Sequence, residues 1–408
     1  MFNRSKLVAA AIALASFTSF AADNGGLGSI IQEVGTDAVK GYLTPFSTVF
    51  GTGMNSGWYN TSKPYSMFGL PVGFSIAAVS LPVTFLSDDM KTFDLKGNIP
   101  IKKMLGDAMN FDTVNSRLNS SWLTNAQKAQ ILTQIGAPAG TQWSDLGIEE
   151  KVPFTAKDLP TVFGPSDPDS IAMDSLLAGS KTYYTVKAVN RIYKMQNSTG
   201  TDTINLSQQL VLPFVGIGSF LGDLGNIMPS MPGVTIEIGV SKIPVMDNLN
   251  IGLRFIPQIK LGDLGKLGQI GMKFQHEFLH YLPFAKSVPF LSASAMYAFN
   301  NLSISAGPAT IDQSNWISGV HASADAKFGP LALGGFMGLC YEGSNLALDV
   351  VADSAYGLPA MSFDLPGDNA FRFTIGGRIK ITVMELWTAF HAGSVNSFEV
   401  GLSALAFH

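Results

Sequence analysis

The chain has 408 residues, of which 46% are hydrophobic, 14% are charged and 11% are aromatic, and its formal net charge is −4. Because an average soluble domain carries about 25% charged residues, this composition argues against two or three ordinary soluble domains. The slightly negative charge offers no basic surface to nucleic acid. A single cysteine, Cys340, cannot form a disulfide within the chain.

The N-terminus has the three parts of a secretory signal. Two basic residues precede an apolar run over Leu7–Ala15, which is too short to span a bilayer as a helix. Ser19 and Ala21 then supply small residues at the spacing that a signal peptidase requires. We predict a cleaved signal peptide over residues 1–22 and an exported protein; a buried N-terminal helix is the alternative.

Residues 23–65 are predicted to form a helical segment or a plug. Ser29–Leu43 has apolar residues at near-helical spacing, and Pro45 is expected to break or restart the helix. Aromatic residues here, among them Trp58 and Tyr59, suit a plug inside a barrel or a site for an apolar ligand. Ordinary packing of a helix on or under the barrel is the simpler alternative.

The middle of the chain, from about residue 96 to 180, is rich in turn-forming residues and shows little alternation. It is predicted to be a long surface loop or a plug inside the barrel. Within it, Thr124 is a suitable N-cap for a helix that runs to Ile135. The following stretches, Lys181–Met195 and Thr203–Leu212, are expected to be extended.

Alternation of apolar and polar residues dominates the second half. In Phe371–Val383 the odd-numbered positions are apolar or glycine, and the even-numbered ones are polar, charged or glycine. A period of two predicts a β-strand with one apolar and one polar face. Four further segments repeat the pattern: Val234–Ser241, Leu249–Phe255, Leu291–Asn300 and Val320–Phe328. Beyond the signal, no run of about 18 apolar residues predicts a membrane-spanning helix.

These strands follow one another through short turns, which predicts an antiparallel meander. The strands exceed the usual ~5–6 residues of a soluble sheet, their polar faces carry charges, and aromatic residues such as Phe255 and Phe371 cap their apolar faces. The predicted fold is all-β: an antiparallel up-and-down transmembrane β-barrel of about 12–14 strands over residues 66–408. A short N-terminal helix and a partly helical middle insertion complete it. A soluble β-sandwich is the alternative.

Several short motifs resemble a family of bacterial exported proteins that is defined only as a domain of unknown function. The residues that carry the resemblance are Gly41–Pro45, Gly57–Thr61, Leu159–Gly164, Ile251–Pro257, Ile270–Phe274 and Tyr281–Pro283. The resemblance implies an outer-membrane β-barrel distantly like the transporters of hydrophobic compounds. It carries over no catalytic or ligand-binding residue.

The segment His276-Glu277-Phe278-Leu279-His280 matches the zinc motif H-E-x-x-H. Two histidines at that spacing chelate one ion only on a helix, whereas on a strand they would lie about 13 Å apart. The preceding residues alternate like a strand and Pro283 follows closely. We therefore predict a strand that runs into a turn, and we expect no metal, no cofactor and no enzymatic activity.

Charged residues on the polar faces are the candidate site. The lumen-facing candidates are Glu237, Arg254, Lys273, Asp325, Lys327, Arg372, Arg378 and Lys380. They could line a pore that selects solutes. The alternative, which we favour, is a salt-bridged interior that stabilises the barrel.

The expected location is the outer membrane of a Gram-negative bacterium. The expected partners are its lipid and the barrel assembly machinery, which would read the final strand, Phe398–Phe407, although His408 departs from the usual aromatic end. The first functional hypothesis is porin-like, passive transport of a small or hydrophobic solute. The alternatives are a structural or surface-interaction barrel without an open pore, and a soluble periplasmic binding protein.

Overall fold

A computed structural model places most of the chain. The described residues are 27–65, 72–100, 114, 117–119, 121–165, 170–196, 209–211, 227–229, 233–240, 248–260, 266–283, 287–306, 309–351 and 360–404. The predicted signal peptide and the last four residues, Leu405–His408, lie outside the described part. Within the described part, no helix is long and apolar enough to cross a membrane.

Ten antiparallel strands close into a ring. The described strands are β1 (Val72–Phe85), β2 (Thr92–Pro100), β3 (Lys151–Pro160), β4 (Ser170–Ala172), β5 (Gln209–Val211), β6 (Ile227–Pro229), β7 (Gly233–Val240), β8 (Leu249–Lys260), β9 (Lys266–Glu277), β10 (Leu291–Ala306), β11 (Ala309–Phe328), β12 (Leu331–Val350), β13 (Met361–Pro366), β14 (Phe371–Ile381), β15 (Met384–Ala392) and β16 (Ser397–Ala404). The ring runs β1, β7, β8, β9, β10, β11, β12, β14, β15 and β16, and β16 pairs back onto β1. The prediction of an up-and-down β-barrel is confirmed.

The ring has fewer strands than the 12–14 that the sequence indicated. Strands β6 and β13 join the same sheet but only extend it beside β1 and β12. The pairs β2–β3 and β4–β5 form separate two-stranded sheets. The sequence therefore indicates extended segments, but it does not show which of them belong to the closed wall.

The two ends of the barrel differ. The end where β1 finishes at Phe85 carries the long insertion between β1 and β7, and we call it the insertion end. The opposite end has the tight turns β11–β12 at Gly329–Pro330 and β14–β15 at Thr382–Val383, and we call it the short-turn end.

The wall has an apolar outside and a polar inside. Along β14, Phe371, Phe373 and Ile375 are exposed, whereas Arg372 and Thr374 between them are buried. The predicted assignment of faces is confirmed on this strand. Exposed large apolar side chains occur on all ten strands of the ring; examples are Leu81, Ile236, Phe255, Ile270, Tyr297, Val320, Leu339, Ile375, Leu386 and Val400.

The first described helix, α1, spans Leu27–Met54 and continues through Pro45. The expected break at Pro45 is wrong. Tertiary packing overrides the local cost of proline, because Tyr42, Leu43 and Val49 around it are buried. The helix enters the barrel from the insertion end, where the Ser344 hydroxyl donates to the carbonyl of Ser47 at 3.0 Å.

The insertion folds over that end as a small helical cap. Its described helices are α2 (Asn125–Gln134), α3 (Met173–Leu177) and α4 (Lys181–Gln196). The Thr124 hydroxyl caps the α2 backbone, and Gln127 returns the bond to the Thr124 N–H, which confirms the predicted start of this helix. The apolar core of the cap joins α1, β2, β3, α2 and α4 to Leu346 and Leu348 of β12.

Helix α4 corrects the expectation that Lys181–Met195 is extended. Its buried residues Thr182, Thr185, Val189 and Ile192 recur three or four positions apart, which places them on one helical face. Of the other stretch expected to be extended, Thr203–Leu212, the described residues 209–211 are β-strand.

Candidate functional site

The charged residues predicted to face the barrel interior all lie on strands of the wall. Glu237, Arg254, Lys273, Arg372 and Arg378 are buried, each with 5% or less of its surface exposed. Asp325 is half-buried, and the two remaining lysines, Lys327 and Lys380, lie at the short-turn end and line a cavity with it. The structure thus separates a buried interior group from a more exposed group at one mouth.

The interior is filled by the chain itself. After α1 ends, residues 55–65 run through the barrel towards the short-turn end, where Lys63 pairs with Asp325 at 3.3 Å. Trp58, Tyr59 and Tyr65 of this segment are all buried. We call residues 55–65 the plug.

Basic side chains of the wall hold the main chain of the plug and of the helix end before it. Arg254 donates to the carbonyls of Met54 at 2.9 Å and Ser56 at 3.0 Å. Lys273 donates to the carbonyl of Trp58 at 3.0 Å. These hydrogen bonds end on backbone carbonyls, so they do not depend on which side chains the plug carries. Charge-assisted bonds of this kind are about twice as strong as neutral ones.

Three further wall residues extend the same pattern. Arg372 donates to the carbonyl of Thr52 at 3.1 Å, and Arg378 donates to that of Asn60 at 3.2 Å. The amide of Gln275 donates to the carbonyl of Thr61 at 2.7 Å. Five wall residues from three strands therefore form hydrogen bonds with the main chain between residues 52 and 61.

Carboxylates neutralise these cations. Lys273 lies 2.6 Å from Glu237, Arg372 lies 3.0 Å from Glu342, and Arg378 lies 2.5 Å from Asp325. A buried charge without a partner destabilises the fold. These ion pairs therefore allow the charged side chains to be buried in a closed interior. The geometry favours the salt-bridged alternative over the pore lining.

Several of the interior partners escaped sequence analysis. Glu342, Glu385 and Glu399 are buried, and Glu399 accepts bonds from the backbone N–H of Gly57 and from the indole of Trp387. All three lie at polar positions of alternating strands, so the strand pattern could have identified them. Their partners on the plug could not be found in this way, because no periodicity links residue 57 to residue 399.

Aromatic contacts also join the plug to the wall. The Arg254 guanidinium lies 3.9 Å from the Trp58 ring centroid, and Tyr59 stacks on His321 at 3.5 Å between ring centroids. Phe336 meets Tyr59 edge-on at 5.4 Å. The plug is therefore fixed by stacking as well as by hydrogen bonds.

The H-E-x-x-H segment is placed on a strand end and a turn, as predicted. Strand β9 ends at Glu277, and one turn of 3-10 helix follows over Leu279–Tyr281. His280 Nδ1 lies 2.6 Å from Glu277 Oε2, and the His276 ring stacks on Tyr281. Among the described residues, no group of three or more His, Cys, Asp or Glu side chains is arranged to hold a metal ion.

One row of interior groups has the composition of a hydrolytic triad. The Thr374 hydroxyl lies 2.8 Å from His391 Nδ1, and His391 Nε2 lies 3.4 Å from Glu399. All three side chains are buried under the plug, with 4% or less of each exposed. A nucleophile needs access to substrate as well as a base, so we assign this row to the support of Glu399.

A cavity of about 280 Å³ opens at the short-turn end. Its walls come from the β11–β12 turn and the β14–β15 turn, and its charged lining is Asp325, Lys327, Arg378, Lys380 and Glu385. This cavity brings four of the predicted lumen-facing residues, Asp325, Lys327, Arg378 and Lys380, together beside the plug. We call it the mouth cavity.

Comparison with known proteins gives one strong match. Residues 2–405 match the model described as a family of unknown function, DUF6588. No curated protein matches the sequence. Among solved structures, a mutant porin of Rh. blastica is 9% identical, with 44% of this chain and 91% of the porin covered at a TM-score of 0.13. A TM-score this low does not indicate a shared fold.

Proposed function

The chain belongs to the family of unknown function DUF6588, and we propose that it is a β-barrel of the bacterial outer membrane whose interior is closed by its own N-terminal plug. The proposed role at rest is that of a sealed barrel that carries the helical cap on the cell surface. The observation that supports it most is the apolar belt formed by all ten strands of the ring.

The belt matches the requirements of a bilayer. The hydrocarbon core of a bilayer holds no water to pair with the backbone groups at the edge of a sheet. A sheet that spans the bilayer must therefore close, and the ten strands of the ring pair into a closed sheet. The outward side chains are large and apolar at mid-strand, as on Ile375 and Leu339. Strand β14 has 11 residues, close to the length that crosses a bilayer at a tilt.

An aromatic row borders the belt towards the insertion end. Trp316 lies 5.6 Å from Tyr341, and Tyr341 lies 5.2 Å from Phe371, measured between ring centroids. Beyond this row the outward positions become polar, as at Ser314 and Asp312 on β11. Aromatic residues at the boundary between an apolar band and polar strand ends are typical of membrane barrels.

The orientation follows from the ends. Membrane barrels of this class keep short turns on the periplasmic side and long excursions outside. The helical cap would then face the exterior, and the mouth cavity would face the periplasm. Export through the predicted signal peptide is part of the same proposal.

The plug favours one of the functional hypotheses. Its backbone is bonded to wall residues and its flanking charges are paired, which supports a barrel without an open pore in the resting state. Passive transport of a small or hydrophobic solute would require the plug to move. A soluble periplasmic protein would instead need a partner or a core to cover the apolar belt.

Membrane location is tested by fractionation and gel mobility. We expect the protein to extract from the outer-membrane fraction only with detergent, and to migrate differently on a gel before and after boiling. Recovery of a water-soluble monomer whose mobility is unchanged by boiling would contradict the proposal.

Closure is tested separately in planar bilayers. We expect no steady conductance from the wild type, and conductance from a variant in which Gly-Ser repeats replace residues 55–65. The matched control is a Gly-Ser replacement of the exposed cap residues 138–140, which should stay closed. An open wild-type pore would favour passive transport at rest over a sealed barrel.

A further inference from the structure

Two rows of side chains cross the inner wall near the short-turn end. In the first row, Asp325 of β11, Gly334 of β12 and Arg378 of β14 are register partners across three neighbouring strands. Their side chains share the inner face. The Asp325–Arg378 pair closes over Gly334, where an added Cβ would meet both side chains, with Arg378 Nε at 2.7 Å. The first row is therefore a complete ion pair.

The second row lies two residues nearer the mouth. It consists of Lys327, Ala332 and Lys380, again register partners on the same three strands. It has a small residue between two charged ones, as the first row has, but the residue on β11 is a lysine where the first row has an acid. In the described part of the chain, neither lysine has a carboxylate within 4.0 Å of its ammonium group.

The geometry brings the two ammonium groups towards one space. Neighbouring strands lie about 4.8 Å apart, so the two lysine Cα atoms are about 10 Å apart on one face. The methyl group of Ala332 between them fills little of that gap. The mouth cavity of about 280 Å³ occupies this position, and Lys327, Ala332 and Lys380 all line it.

The nearby carboxylates are already engaged. Asp325 is shared by Arg378 and by Lys63 of the plug, at 2.5 Å and 3.3 Å. Glu385 accepts from the Asn60 amide at 2.9 Å and lies 3.8 Å from Arg378. Glu385 is also the register partner of Lys380 across β14 and β15. With both carboxylates counted, the mouth holds four cationic side chains and two carboxylates, which leaves an excess of two positive charges.

We infer that the mouth cavity binds a small oxyanion, a phosphate or carboxylate group, between Lys327 and Lys380. The anion takes the place that Asp325 has in the first row and offsets the repulsion between the two ammonium groups. This inference rests on the inner wall alone and stands whether or not the barrel lies in a membrane. Phosphate groups reach such a site either as free solute or as a lipid headgroup.

Calorimetric titration of the purified full chain tests the site. The probe is inorganic phosphate, in a neutral detergent at low ionic strength. We expect saturable binding that weakens at least tenfold in the double variant K327Q/K380Q. The control is K96Q/K157Q, which removes two exposed lysines of the cap and should bind like the wild type. Unchanged affinity in K327Q/K380Q would overturn the site.

A second variant guards against misfolding. K327D places a carboxylate on β11 opposite Lys380, as Asp325 stands opposite Arg378, and so rebuilds the pairing of the first row. We expect it to lose phosphate binding while its urea midpoint stays equal to or above the wild-type value. Phosphate binding retained in K327D would contradict the inference.

A lipid arm identifies the source of the anion. Vesicles of phosphatidylglycerol are compared with vesicles of phosphatidylcholine as competitors of phosphate. Competition by phosphatidylglycerol alone, lost in K327Q/K380Q, assigns the site to a headgroup, and the absence of competition assigns it to free solute. Either result supports an oxyanion site. Binding of neither probe by the wild type overturns it.

Discussion

Replacement of Lys273 by methionine should leave the Glu237 carboxylate charged and without a salt-bridge partner inside the barrel. The two side chains are 2.6 Å apart, with only 1% and 7% of their side-chain surfaces exposed. Removing one partner of such a buried pair costs about 3–5 kcal/mol. The change also deprives the Trp58 carbonyl of its 3.0 Å donor. We expect the urea midpoint, followed by tryptophan fluorescence, to fall accordingly.

The double variant K273M/E237L separates charge from packing. With both charges replaced by apolar groups, most of the loss should be recovered. A deficit of about 1–3 kcal/mol should remain, because the Trp58 carbonyl stays buried without a donor. Lys96→Met on the exposed cap is the control for loss of a lysine. A cost below about 1 kcal/mol for K273M would mean that water solvates Glu237, which would refute the closed interior.

Three further changes test other levels of the fold. Ile375→Lys places a charge on the belt at mid-strand and should cost about 2–4 kcal/mol for folding into vesicles, measured by urea titration; a cost near zero would argue against lipid contact. Gly401→Val adds a side chain where even a Cβ would collide with the Trp387 ring, so the barrel band on an unboiled gel should disappear, whereas Gly147→Ala, in open space, should keep it. Thr124→Ala removes the α2 cap and should cost about 1 kcal/mol, seen as faster amide exchange in that helix while the wall stays protected.

The wall was predictable because a strand in a closed barrel repeats every two residues. In β14 each apolar position faces outwards and each charged position faces inwards, so residue type alone assigns the faces. The same period places Glu342, Glu385 and Glu399 inside. The sequence therefore carries the information for both halves of each interior ion pair, although only the basic half and two of the acids were recognised.

The contacts of the plug and the number of strands in the ring were harder to predict from the sequence. Bonds such as Arg254 to Met54 and Arg378 to Asn60 join residues separated by 200 and 318 positions. They act on carbonyl groups, which every residue has, and they leave no pattern in the plug sequence. Closure of the ring at ten strands depends on which extended segments pair, and β6 and β13 pair only at its side. Helix α4 was mistaken because its buried face is partly threonine.

Quenching of single tryptophans by brominated lipid tests the central claim that the outward faces contact hydrocarbon. Trp316 is 37% exposed on the aromatic row, whereas Trp387 is 2% exposed inside the barrel. Two variants that each keep one of these residues would be compared after refolding into brominated vesicles. We expect strong quenching of Trp316 and weak quenching of Trp387. Equal quenching of both, or quenching of Trp316 by aqueous acrylamide but not by lipid, would contradict this claim.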